Sequence, residues 1–162
     1  MKNKILDIKK LLIKVKSLKT NKKKIVLSHG VFDLVHAGHI LHFQESKKLG
    51  DILIVSLTAD NYVNKGPNRP IFSLRERIES IAQIDCVDYV VSNYSPTSIP
   101  MINLIKPNII ANEIYLSLSD CDFNLIQDDD SLLINSNVLQ SRTYDIYITY
   151  VSQEMLKNNF LA

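Results

Sequence analysis

The run IVLSHGVFDLVHAGHI, residues 25–40, limits what this chain can fold into more than any other stretch. Ile25, Val26 and Leu27 form a short apolar segment suited to a buried strand. Gly30 follows where the chain must leave that strand with no side chain in the way. His36 and His39 then frame Gly38. A helix beginning near His39 would aim its backbone N–H groups and positive dipole end at the strand's carboxyl edge, where open α/β sheets hold ligands. Strand, glycine turn and helix start in this order predict an α/β sheet with a site suited to a phosphate chain.

The rest of the chain repeats that alternation. Apolar residues at 40, 43 and 49 continue a helix that Gly50 ends, and DILIVSLT, residues 51–58, reads as a strand covered on both faces. A loop over 59–72 carries Lys65 and Arg69, which could close on phosphate groups or stay solvated. Ser73 and Glu76 form a capping box for a helix whose inner face is Leu74, Ile78, Ile81 and Ile84, with Arg77 off that stripe. A third strand is expected at 87–91, a helix from Ser95 and Pro96 to before Pro107, and a fourth strand at 108–111. Strands and helices at these intervals predict a Rossmann-like parallel sheet flanked by helices, with right-handed crossovers. Residues 144–151 alternate like a further strand, and 116–142 carry no clear element; Asp128–Asp130 reads as a solvated acidic turn.

Charge is distributed unevenly. Residues 1–24 hold ten lysines and one acid, a net +9, which leaves the remainder at −7 although the whole chain is at +2. Ile5, Ile8, Leu11, Leu12, Val15 and Leu18 recur at helical spacing, so residues 1–22 read as a basic amphipathic helix packed on the domain or a partner. Solvated lysines are the simpler explanation than a nucleic-acid site. At 162 residues, 46% of them hydrophobic, the chain suits one domain: the helix at 1–22, a core at 23–111 and a C-terminal part at 112–162. Cys86 and Cys121 make no metal or redox pair by spacing, and no apolar run approaches the roughly 20 residues of a membrane span. With no secretory signal in view, a soluble cytoplasmic protein is expected.

Two histidines at a helix start suit attack on phosphorus. Negative charge builds on the oxygens of an α-phosphate in the five-coordinate state, and fixed imidazole N–H donors stabilise it. His29, His36, His39 and His42 also raise a zinc site, but no cysteine or carboxylate completes the set, so His29 and His42 read as lining and surface residues.

The run GVFDLVHAGHI with KKLGD at 47–51 resembles the cytidylyltransferase-like nucleotidyltransferases, whose signature is GxFDxxHxGH. VNKGPNRP at 63–70, and Arg77 with VDYV at 87–90, resemble the sugar-phosphate branch, which includes glycerol-3-phosphate cytidylyltransferase and the nucleotidyl-transfer domain of ADP-heptose synthase. The resemblance implies Mg²⁺-dependent transfer of a nucleotidyl group to a sugar or polyol phosphate, with CTP as the expected donor, ATP as its rival, and a homodimer. It implies His36 and His39 at the α-phosphate, Lys65 and Arg77 neutralising triphosphate charge, and Gly30, Val31, Phe32 and Gly38 around the nucleotide. It thins after Pro107. Asn112–Tyr115 replace the family's KG turn, and Ser152 alone remains of a hydroxyl run expected at a helix N-terminus. A nucleotide-binding protein without turnover is therefore the alternative.

Overall fold

The computed structural model describes residues 4–115 and 146–152. Among the described residues five strands form one sheet: β1 (Ile25–Gly30), β2 (Ile52–Thr58), β3 (Tyr89–Asn93), β4 (Ile109–Tyr115) and β5 (Ile146–Ser152). Their order is β3-β2-β1-β4-β5, with β1 to β4 parallel and β5 antiparallel to β4. The chain builds outward from β1 through β2 to β3, then returns to place β4 on the other side of β1. That reversal is a topological switch point, and it opens a crevice beyond the carboxyl ends of β1 and β4.

Side-chain alternation on the strands assigns the two faces. Val26 on β1, with Leu53, Val55 and Leu57 on β2, packs under α2 (Ala37–Lys48) and α3 (Leu74–Ala82), meeting Phe43, Ile78 and Ile81. Ile25 and Leu27, with Ile54 and Val91, pack on the opposite face under α1 (Ile8–Thr20) and α4 (Ile99–Ile105), meeting Leu11, Val15, Leu18, Met101 and Ile105. The basic helix is thus docked on the sheet by its apolar stripe. It starts later than expected because Asp7 caps it, accepting from the Lys10 N–H at 2.8 Å. Residues 4–6 instead run along β3, with the Val90 N–H donating to Lys4 O and the Leu6 N–H donating to Val90 O.

Several boundaries move for identifiable reasons. Gly50 follows the cap of α2 but has no left-handed backbone; a Cβ there would lie 2.8 Å from Lys24 O, so close approach to the chain entering β1 requires the glycine. The third strand begins at Tyr89, because the carboxylate of Asp88 accepts from the Leu53 N–H and pairs with Lys47. The helix expected from Ser95 begins at Ile99. Asn93 donates to Ser95 O and Thr97 O and holds 95–97 as a loop. Asn112–Tyr115 do not turn; they continue β4, paired in register with Ile146–Thr149.

Candidate active site

The site begins where β1 runs out. A Cβ on Gly30 would lie 2.8 Å from Phe32 Cζ, and the sharp turn falls on Phe32 itself, at φ 49°. Phe32 was expected to line a nucleotide. Its ring is buried, edge-on to His39 at 5.4 Å and to Phe43 at 5.0 Å, so it forms a floor beneath His39.

The helix starts two residues earlier than the sequence suggests, at Ala37. His36 is the N-cap of α2 and His39 lies in its first turn, and the two form a capping box built from imidazoles. The Gly38 N–H donates to His36 Nδ1 at 3.1 Å, and the His36 N–H donates to His39 Nδ1 at 3.3 Å. Each Nδ1 therefore acts as an acceptor, the arrangement in which an imidazole carries its proton on Nε2. The rings lie 4.0 Å apart. Burial pushes His39 down to about 4, and the nearby charges of His36, His42 and Lys65 add to the effect. At neutral pH His39 is an uncharged donor. Gly38 is buried, and its amide serves the cap.

Arg77 is not on the outer side of its helix. It is 1% exposed, and its guanidinium donates to four oxygens: Phe72 O at 3.0 Å, Thr58 O at 2.8 Å, Asp60 Oδ1 at 2.6 Å and Val31 O. It ties the ends of β1 and β2 to the 59–72 loop, and Val31 enters the site as one of its acceptors. Lys65 lies in the exposed part of that loop beside Gly66, whose φ of 92° suits glycine. Asp33 stands inside the GxFDxxHxGH motif. Its buried carboxylate accepts from the Ile71 N–H at 2.8 Å, the Phe72 N–H at 3.0 Å and Arg69 Nη1 at 2.8 Å. Burial alone would raise Asp33, but these donors outweigh it and hold the carboxyl below its usual range.

Other expected residues lie elsewhere. Ser152 ends β5 opposite Ile109, which pairs with Val26 at the far edge of the sheet, so the antiparallel strand carries it away from the histidines. The helix expected after it lies outside the described residues, as do Cys121 and Asp128–Asp130. His42 is fully buried rather than on the surface, its Nε2 2.9 Å from Ser28 Oγ, and burial holds it at about 4. His29 faces the other side of the sheet, with Ser56 Oγ at 2.7 Å and Thr58 Oγ1 at 3.3 Å.

The geometry brings two imidazoles, that of His39 held uncharged, to a helix N-terminus at the switch point of a parallel sheet whose next loop carries Lys65. Residues 27–157 match the family model described as cytidylyltransferase-like. Over 109 residues the chain is 44% identical to the bifunctional protein HldE of Helicobacter pylori, a stretch covering 66% of this chain and 23% of that protein. Over 103 residues it is 39% identical to the bifunctional protein HldE of Pelobacter propionicus, covering 62% and 21%. The chain thus spans under a quarter of the length of these relatives. Among solved structures it is similar to a lipopolysaccharide core biosynthesis protein from Thermoplasma volcanium, 34% identical with a TM-score of 0.51, covering 54% of this chain and 72% of that one.

Proposed function

The chain belongs to the cytidylyltransferase-like family of nucleotidyltransferases, and on that premise we propose that it moves the adenylyl group of ATP to the phosphate of a small sugar. The observation that carries this reading is the imidazole capping box. With each Nδ1 turned to the backbone, His36 and His39 act through Nε2–H at the N-terminus of α2, where the helix dipole also favours negative charge.

A phosphate oxygen of the acceptor attacks the α-phosphorus, the bond from that phosphorus to the β-phosphate oxygen breaks, and pyrophosphate leaves. An ionised phosphate has no proton to surrender, so the step requires no general base. A histidine held uncharged with a pKa of about 4 is suited to donating a hydrogen bond as charge builds on the α-phosphate oxygens. Lys65 offsets triphosphate charge, and Arg77 acts through the backbone it holds. Mg²⁺ would enter with the triphosphate and would supply neutralisation of its charge. The carboxylates near the site are engaged by protein donors, Asp33 by Arg69 and two amides, and Asp60 by Arg77.

ATP replaces CTP as the favoured donor for two reasons. The 63–70 and 87–90 runs resemble the sugar-phosphate branch, which includes the nucleotidyl-transfer domain of ADP-heptose synthase, whose product carries adenosine diphosphate. The relatives named above are HldE proteins rather than glycerol-3-phosphate cytidylyltransferases. A homodimer stays part of the proposal on family resemblance. The alternative, nucleotide binding without turnover, is favoured by one observation: Asn112–Tyr115 continue β4 where the family has its KG turn.

Thermal unfolding with Mg²⁺ and, separately, ATP, CTP, GTP and UTP tests the donor. A ligand at about 100 times its Kd adds roughly 2.7 kcal/mol, a rise of about 5–10 °C for a domain of this size. A rise with ATP, followed by pyrophosphate release with a sugar phosphate, is expected. A rise with CTP alone would restore the cytidylyl reading. Binding without pyrophosphate release from any sugar or polyol phosphate would favour the non-catalytic one, and no rise with any triphosphate would refute the proposal.

A further inference from the structure

The loop that carries Lys65 is held at both ends and open in the middle. At its near end Asp60 accepts from the Leu74 N–H at 3.1 Å and from Arg77 at 2.6 Å. At its far end Arg69, Ile71 and Phe72 all donate to Asp33, whose side chain is only 6% exposed. Residues 64–68 between them are exposed. Asp33 also begins the short run Asp33-Leu34-Val35-His36, so its carboxylate grips the loop while its backbone leads into the histidine cap.

We propose that Asp33 is a positioning residue: by accepting Arg69 and the amides of Ile71 and Phe72, it staples the Lys65 loop to the segment ending in His36 and so sets where Lys65 stands over the histidine pair. This rests on the nucleotidyl-transfer reading of the site. Arg69, the second basic residue of the loop, thereby has a role other than direct phosphate contact: its guanidinium is the handle by which the loop is held. That Lys65 stands close enough for its charge to act on His39, after burial as the main cause, agrees with a loop set over the pair. A single-side-chain lysine needs such fixing. Its ammonium is a point charge on a flexible stem, and the direction of its reach comes from the backbone beneath it.

The test uses the full chain and two measurements. In the first, trypsin cleavage of the Lys65–Gly66 bond is followed by intact mass. Asp33→Asn, which keeps the shape but loses the charge, should speed that cut about tenfold, the population shift that weakening a charge-assisted contact brings. In the second, the Kd for ATP with Mg²⁺ is measured for wild type, Asp33→Asn, Lys65→Ala and the double variant. Each single variant should weaken binding about tenfold and the double scarcely more, because residues that act through one another are not additive. Arg69→Gln removes only the ion pair and goes through both measurements, which protects the test against a poorly folded Asp33→Asn. Unchanged cleavage in Asp33→Asn and Arg69→Gln would overturn the proposal, and so would a double variant weakened by the product of the two single effects. Faster cleavage in a protein that binds no triphosphate would keep the staple but refute the transfer reading, and with it the role assigned to Asp33.

Discussion

Replacing Arg77 by methionine separates a residue that holds the site together from one that touches substrate. The side chain is wholly buried, so methionine retains much of its volume while deleting five donors. Thr58 O and Val31 O then lose a partner inside the protein, and Asp60 loses its cation. Removing one member of a buried pair costs about 3–5 kcal/mol in general. Asp60 is 41% exposed and can recover water, which places the expected loss near the lower end, about 3 kcal/mol. For a domain of this length that lowers the midpoint by about 6–12 °C. Asp60→Asn should cost less, about 1 kcal/mol or below, because a half-exposed carboxylate is easily rehydrated. Arg77→Lys should recover little, since an ammonium cannot reach four oxygens spread over three segments. Thermal and urea unfolding without nucleotide measure all three. If Arg77→Met unfolded within about 2 °C of wild type while losing triphosphate affinity, Arg77 would be a substrate ligand and the buried tie would be wrong.

Other outcomes follow from the same geometry. His39→Ala should lower the rate of pyrophosphate release by about two to three orders of magnitude, the usual loss for one oxyanion donor; a rate within threefold of wild type, against about a hundredfold expected, would exclude His39 from the chemistry. Burial holds His29, His39 and His42 each near 4 in the folded chain, against 6.5 unfolded. The unfolded chain then binds more protons between those values, so stability is full above about pH 6.5, falls as the pH drops toward about 4 and levels below, at up to about 1.4 kcal/mol per pH unit per histidine. His42→Gln should flatten that fall in unfolding midpoints taken from pH 7.5 to 5, and curves parallel to wild type would count against it. Ser152→Ala, at the far edge of the sheet, should leave the Kd for ATP unchanged, and a tenfold weakening would mean that β5 is paired differently.

What the sequence could and could not reveal follows from the range of the interactions. β1, β2, α3 and the docking stripe of α1 are written in local periodicity and caps, and Ile25–Gly30, the Ser73–Glu76 box and Leu11, Val15 and Leu18 stand where such patterns place them. Arg77 defeats the same reasoning. A helical stripe counts arginine as polar, and what buries it is a set of oxygens at residues 31, 58, 60 and 72 that only the folded sheet gathers. Asp33 was hidden for a related reason: a carboxylate in a loop motif says nothing of amides nearly 40 positions away. For β5 the alternation identified a strand, but period two carries no direction. The antiparallel pairing that removes Ser152 from the site was therefore not legible.

The histidine cap has a spectroscopic consequence. The backbone protons of His36 and Gly38 each point at an imidazole nitrogen that must stay unprotonated to receive them. Those two amides are thus a built-in gauge of the rings' charge. Their chemical shifts and exchange rates register acidification or an arriving anion at the same atoms that begin α2, and loss of either ring frays the helix it starts. Reactivity and local order at this turn rest on one pair of hydrogen bonds, so they rise and fall together.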